Sequence, residues 1–256
     1  MYKALITDLD GSAVNISSNG SDVDDQTREA VQAAENAGYH ISAATGRDWP
    51  ITKPVTEALG IKALCIISGG SAIINPVTEE IVWEKPLDSG SPNHIIEIFK
   101  AHTNEGNVFT QCEPFELPLK ELVDIPDELR YLYLIGTPQS SARAISNEIN
   151  SGKIAVSHMT PSWIGDGFID VHVTHPDATK EHAVLKWHEL MGVSIAETIC
   201  MGDSGNDIPL FNAASLKIAT GNATDELKAL ADYIAPNAGN HALEHVITKY
   251  LLSQEA

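Results

Sequence analysis

Short apolar runs alternate along the chain with longer stretches whose apolar residues recur at helical spacing. Ala4-Leu5-Ile6-Thr7 opens the pattern with no polar face, the signature of a buried strand in a parallel sheet. After a loop of Gly, Ser and Asn, Asp25–Asn36 predicts a helix. Ala30, Val31, Ala33 and Ala34 lie on its inner face, and Gly38 is placed to stop it. Residues 40–44 form a second strand, ending in Thr45-Gly46-Arg47. Asp48 is placed to cap a helix that Gly60 ends. A third strand over 63–67 runs into Gly69-Gly70, and Ala72–Ile74 with 80–83 predicts a hairpin.

The rhythm loosens at 86–92, a Ser-, Gly- and Pro-bearing crossing. Beyond it the pattern predicts helices over 94–102 and 139–150, strands over 131–135, 154–158 and 168–173, and a Pro- and acid-bearing loop over 124–127. Strand–helix alternation returns with a helix over Lys180–Met191. Then come a strand over 198–201, a helix over 207–213, a strand over Leu216–Ala219, and helices over Asp225–Leu230 and 241–252. Alternation of this kind predicts an α/β fold: a doubly wound, Rossmann-like parallel sheet. The expected organisation is a discontinuous core domain over 1–86 and 176–256, interrupted by an inserted α+β domain over 87–175.

Composition narrows the function classes. Hydrophobic residues make up 43% of the 256, enough for a sizeable core. Asp and Glu number 35 against 16 Lys and Arg, a formal net charge of −19. That balance repels phosphate backbones and anionic lipid, so neither nucleic acid nor a membrane is an expected partner. Cys65, Cys112 and Cys200 make no CxxC pair, and the first and last lie in apolar runs as core thiols. Met1-Tyr2-Lys3 leads straight into a strand without a signal-peptide pattern, and a cytoplasmic protein is expected, as monomer or small homo-oligomer. The histidines His172, His175, His182 and His188 show no zinc-type spacing. Trp163 and Phe168 read as core of the inserted domain before they read as a substrate face.

Candidate chemistry gathers at strand ends. Asp8-Leu9-Asp10-Gly11 follows the first strand at the edge where open α/β sheets bind ligands, and Ile199 to Met201 leads into Gly202-Asp203-Ser204-Gly205-Asn206-Asp207. Taken singly, these are a turn and a capped helix start. Together they bring four acids toward one pocket, which calls for a cation, and hard oxygen donors suit Mg²⁺. A carboxylate in such a pocket can take a phosphoryl group covalently while a second carboxyl moves protons. Asp8, nearest the crevice, suits the nucleophile, and Asp10 the acid and base.

Four motifs in order resemble the haloacid dehalogenase superfamily of phosphohydrolases. Asp8-Leu9-Asp10-Gly11-Ser12 resembles its first motif, Thr45-Gly46-Arg47 the second, Lys180 after Ala178-Thr179 the third, and Gly202 to Asp207 the fourth. Ala219-Thr220-Gly221-Asn222-Ala223 and Ala231-Asp232-Tyr233 are similar to the Cof-type subfamily, a resemblance that implies the inserted α+β domain over 87–175 is a cap domain that sets substrate specificity. The chain departs from the family's pattern with Ser12 where Thr is usual, and with Gly69-Gly70 where Asn-Gly is frequent.

The resemblance implies Mg²⁺ held by Asp8, the Asp10 carbonyl and Asp203, with Asp207 supporting that shell. Thr45 and Lys180 would meet the phosphate oxygens. Ser12, Gly46, Arg47 and Asn206 are candidate substrate contacts; Arg47 alternatively pairs with a core acid such as Asp207, and Asn206 alternatively caps a helix. The expected activity is Mg²⁺-dependent hydrolysis of small phosphorylated metabolites, sugar or polyol phosphates foremost, through an aspartyl phosphate on Asp8. A sugar phosphomutase or phosphotransferase would use the same core. A non-hydrolytic phospho-acceptor would need neither Asp10 nor a cap, and an Asp-x-Asp glycosyltransferase would leave 202–207 without a role.

Overall fold

The computed structural model describes residues 1–16, 18–112, 116–123, 125–162 and 164–255. Trp163 and Asp124, singled out above, lie outside the described residues. In chain order the elements are β1 (Ala4–Thr7), α1 (Asp25–Asn36), β2 (His40–Ala43), α2 (Trp49–Leu59), β3 (Cys65–Ile67), β4 (Ala72–Ile74) and β5 (Ile81–Glu84). Then follow α3 (Ser91–His102), β6 (Asn107–Phe109), β7 (Glu116–Pro118), β8 (Tyr131–Pro138), α4 (Gln139–Gly152), β9 (Val156–Pro161) and β10 (Phe168–Thr174). The chain finishes with α5 (Lys180–Met191), β11 (Thr198–Gly202), α6 (Ile208–Asn212), β12 (Leu216–Ala219), α7 (Asp225–Leu230), β13 (Tyr233–Ile234) and α8 (Ala242–Tyr250).

Contacts divide the chain into a unit of Met1–Trp83 with Lys180–Ala256 and a unit of Glu84–Thr179. The first is built on a five-stranded sheet in the order β13-β12-β11-β1-β2, parallel throughout. β1 lies between β11 and β2, and every residue of it is buried. Alternation sends Leu5 to one face, with Val31 and Ala34 of α1 and Val246 of α8, and Ala4 and Ile6 to the other, with Val184 and Trp187 of α5 and Leu210 of α6. This is the doubly wound α/β core. The chain leaves β1 for β2 on one side and returns through β11 on the other, so the order reverses at β1 and a crevice forms at its C-terminal end.

Local signals account for most boundaries. Asp24 caps α1 by accepting from Thr27 N at 2.8 Å, and Gly60 closes α2 in the left-handed region. Two details differ from the sequence reading. Ala33 is exposed, and Thr27 takes the inner face beside Ala30, Val31 and Ala34. Asp48 precedes α2 but makes no cap bond with its side chain; Oδ1 accepts instead from Ser68 Oγ at 2.8 Å.

The second unit is α+β. Its antiparallel sheet runs β7-β6-β8-β10-β9, and Ile95 and Phe99 of α3 with Ile145 and Ile149 of α4 pack on the face carrying Leu132, Leu134, Val171 and Val173. β6 and β7 are not evident from the sequence: three residues each, they are strands because they pair with each other and β6 pairs with β8. Tyr133 and Tyr131 flank His172 with ring centroids 5.1 and 5.6 Å away, and burial pushes that imidazole down to about 3, so it stays neutral.

Candidate active site

Asp8 is the first residue past β1, and its N–H still extends the sheet ladder to Met201 O at 2.9 Å. The turn then closes tightly: Ser12 N and Val14 N both donate to Leu9 O, and Gly11 N donates to Val14 O. Gly11 has φ +77°, and a Cβ there would stand 2.5 Å from Asp203 Oδ2. Only glycine meets both conditions. The loop carrying Asp8 and Asp10 thus lies against the loop carrying Asp203.

That second loop leaves β11 at Gly202, where a Cβ would lie 2.6 Å from Cβ of Asp207. Ser204 and Asp207 cap the following turn reciprocally. Oδ2 of Asp207 accepts from the N–H of Asp203 (3.0 Å) and of Ser204 (3.2 Å). Oδ1 accepts from Lys180 Nζ at 2.6 Å. The cap is therefore Ser204, not Asn206, whose Oδ1 accepts from Ser204 Oγ at 2.7 Å. Lys180, first residue of α5 and 4% exposed, also donates to Asp8 Oδ1 at 2.7 Å.

The segment after β2 forms the third wall. Thr45 is buried; its N–H donates to Ile66 O, and its Oγ1 accepts from Arg47 N at 3.1 Å, which leaves the hydroxyl proton to donate elsewhere. Space above Gly46 is open. Arg47 grips Asp10 with both arms of a fork, Nε to Oδ2 at 2.7 Å and Nη2 to Oδ1, while Nη1 donates to Ser18 O at 2.6 Å. Its acid partner is Asp10, not Asp207, which is enclosed by Lys180 and backbone N–H groups. Ser68, with φ +50°, and the two glycines after it, both at positive φ, stitch the next loop in: Ser68 N donates to Arg47 O and Gly69 N to Thr45 O.

Two cations, Lys180 and Arg47, face the carboxylates of Asp8, Asp10, Asp203 and Asp207. Burial is the main force lifting Asp8 above the ordinary carboxylate range. Lys180 opposes it and the charges of Asp207 and Asp203 add to it. Asp203 is pushed up to about 6, again by burial first and then by Asp207. Burial would lower Lys180, but Asp207 and Asp8 outweigh it and hold the ammonium protonated. Such a set favours a further positive charge.

Oxygens of Asp8, Asp203 and Asp207 lie within 4.8 Å of one another, the one such cluster among the described residues. All are hard donors and fit a divalent cation. Because both Asp207 oxygens are engaged, Asp8 and Asp203 would be the carboxylates left to hold one, while Asp207 bonds Lys180 and the Asp203 loop. Ser12 Oγ is fully buried and makes no hydrogen bond of good geometry, though it stands near enough to Asp203 to draw its pKa down.

Residues 5–117 and 133–247 match the haloacid dehalogenase-like hydrolase family. Phosphoglycolate phosphatase 1 of Saccharolobus solfataricus is 24% identical over 98% of this chain and 96% of its own length. A 5-amino-6-(5-phospho-D-ribitylamino)uracil phosphatase of Bacillus subtilis is 23% identical over 91% of this chain and 89% of its own. Among solved structures, a haloacid dehalogenase-like hydrolase from B. subtilis superposes with a TM-score of 0.79 at 19% identity, covering 97% of this chain and all of that one. The chain belongs to the haloacid dehalogenase-like hydrolases and is a phosphatase of their Cof-type branch.

Proposed function

We propose that the chain hydrolyses small phosphate monoesters, sugar or polyol phosphates foremost, with Mg²⁺ and a covalent intermediate on Asp8. The observation that carries this reading is the placement of Lys180 Nζ between Asp8 and Asp207, with an Asp203 oxygen within 4.8 Å of theirs. Lys180 occupies one Asp8 oxygen and leaves the other to attack phosphorus. In the first step a bond forms from Asp8 to phosphorus, the ester P–O bond breaks, and Asp10 gives its proton to the departing oxygen. In the second, water attacks phosphorus, Asp10 takes its proton, and the Asp8–phosphorus bond breaks to free phosphate. Lys180 and the Thr45 hydroxyl would donate to the equatorial oxygens, where transition-state charge spreads. Bound Mg²⁺ would supply the charge neutralisation that lets a carboxylate approach a phosphate.

The substrate class draws support from the relatives. One is named for phosphoglycolate and the other for a ribityl phosphate, both small esters. The net charge of −19 disfavours nucleic-acid substrates, and no described helix is long and apolar enough to cross a membrane. The unit of Glu84–Thr179 is proposed to select the leaving group, and the cytoplasm is the proposed location. A panel of sugar phosphates, polyol phosphates, nucleotides, phosphoamino acids and phosphopeptides tests the reading. The highest kcat/KM should fall among the sugar and polyol esters; a phosphopeptide or nucleic-acid end in first place overturns it.

A further inference from the structure

The segment after β12, Thr220-Gly221-Asn222-Ala223-Thr224, has no place in the chemistry above, yet it touches both carboxylate-bearing loops. Thr220 Oγ1 and Asn222 Nδ2 both donate to the Gly11 carbonyl, at 3.2 and 2.7 Å. Ala238 N donates to Asn222 Oδ1 at 2.8 Å, which fixes the amide with its NH₂ toward Gly11. On the other side, Thr220 N donates to Gly202 O at 3.0 Å and Thr224 N to Asp203 O at 2.9 Å. The segment itself is held from behind: Gly221 N donates to Pro236 O, and a Cβ on Gly221 would fall 2.3 Å from Asn237 Oδ1.

Gly11 is the residue through which the Asp10 carbonyl is aimed, and glycine supplies no side chain to hold its own peptide planes. Two donors from a rigid neighbour do so instead. We propose that Thr220 and Asn222 are positioning residues for the cation site: they fix the spacing between the loop of Asp8 and Asp10 and the loop of Asp203. The inference rests on the reading that Asp8, the Asp10 carbonyl and Asp203 hold Mg²⁺. Mg²⁺ requires near-ideal octahedral geometry, so a loosened spacing costs it more than Ca²⁺, which accepts looser arrangements.

The test is calorimetric titration of Mg²⁺ and Ca²⁺ into the metal-free full chain without substrate, with the Mg²⁺-induced rise in Tm as a second readout. The double variant Thr220→Val with Asn222→Ala should weaken Mg²⁺ by about tenfold or more, the usual range for outer-shell partners. Ca²⁺ should weaken less. Thr220→Val alone, an isosteric change at a fully buried position, should give a smaller loss in the same direction, and Thr220→Ser should restore affinity. Thr224→Ala serves as control: its side chain accepts from Leu227 N as the cap of α7 and does not reach Gly11, so it should lower Tm while keeping Mg²⁺ affinity within twofold. An unaltered chain that binds no Mg²⁺ sinks the cation-site reading itself. An unaltered chain that binds, with Thr220→Val and the double variant binding equally well, sinks the positioning role alone. So does an equal loss in Thr224→Ala.

Discussion

Lys180 donates from Nζ to Oδ1 of Asp8 across 2.7 Å, although 172 positions of chain separate the two residues. Both are buried, and the ammonium is shared with Asp207, which uses its other oxygen on backbone N–H groups of the Asp203 loop. One lysine therefore ties the end of β1, the start of α5 and the turn after β11 into a single constellation. Reactivity and stability are coupled through it, and they are coupled with opposite signs at its two ends.

Replacing the lysine removes the side-chain cation that, among the described residues, bonds Asp8 and Asp207, and leaves both carboxylates buried. Lys180→Met should destabilise the metal-free protein by about 3–5 kcal/mol, the usual penalty for breaking a buried pair from one side. Asp8→Asn should do the reverse. Burial already disfavours the ionised Asp8, so a neutral amide relieves repulsion with Asp207 and Asp203 while Lys180 keeps Asp207. The variant should be as stable as the parent or more so, with no turnover. Urea unfolding beside a phosphatase assay checks both; a destabilised Asp8→Asn protein or one with near-parental turnover contradicts the account.

The elements were legible where the sequence carries periodicity and a cap together. Asp25–Asn36, Lys180–Met191, Leu216–Ala219 and Asp225–Leu230 match their predicted bounds, because each has an apolar stripe or run and an abrupt polar boundary. The short strands β6, β7 and β13 carried no such signal, since two or three residues become a strand only by pairing. Motif order brought Asp8, Asp203, Asp207 and Lys180 to notice, but partner choice was not legible. Arg47 meets Asp10 because β1 and β2 pair in parallel, Thr7 beside Ala43, and bring the loops after them together, a tertiary fact with no local trace. Thr220 and Asn222 stand out in the sequence only as part of a segment similar to the Cof-type subfamily, and nothing in their spacing points to the Gly11 carbonyl 209 and 211 positions away.

The fork of Arg47 on Asp10 bears on the leaving group. If Asp10 protonates the departing oxygen, its removal should matter most where that oxygen is a poor leaving group. Asp10→Asn should lower kcat/KM on an alkyl phosphate by about 10²–10⁴-fold, the usual worth of acid–base assistance. Its effect on an aryl phosphate with a good leaving group should be much smaller. Arg47→Met should show the same bias in weaker form, because Asp10 persists but loses its bidentate support. A uniform rise in KM across both ester types would instead make Arg47 a substrate contact.

Metal and pH are linked through the raised carboxyls. Asp203 is pushed up to about 6 and Asp8 lies above the ordinary range, so the metal-free native state keeps protons that the unfolded chain has released. The sign follows: from about pH 4 up to about 6 for Asp203, and up to about 8 for Asp8, the native form binds more protons, and metal-free stability from these groups falls as pH rises. A divalent cation competes for the same oxygens, so its apparent affinity should climb as pH rises through about 6. The gain in Tm on adding saturating Mg²⁺ should therefore be clearly larger at about pH 7.5 than at about pH 5. Chelator should abolish activity at the higher pH, added Mg²⁺ should restore it, and excess Ca²⁺ should inhibit through its preference for more ligands and looser geometry. Full activity in a protein shown to be metal-free, or a Tm gain at about pH 5 equal to that at about pH 7.5, would remove Asp8 and Asp203 as the groups that hold the ion.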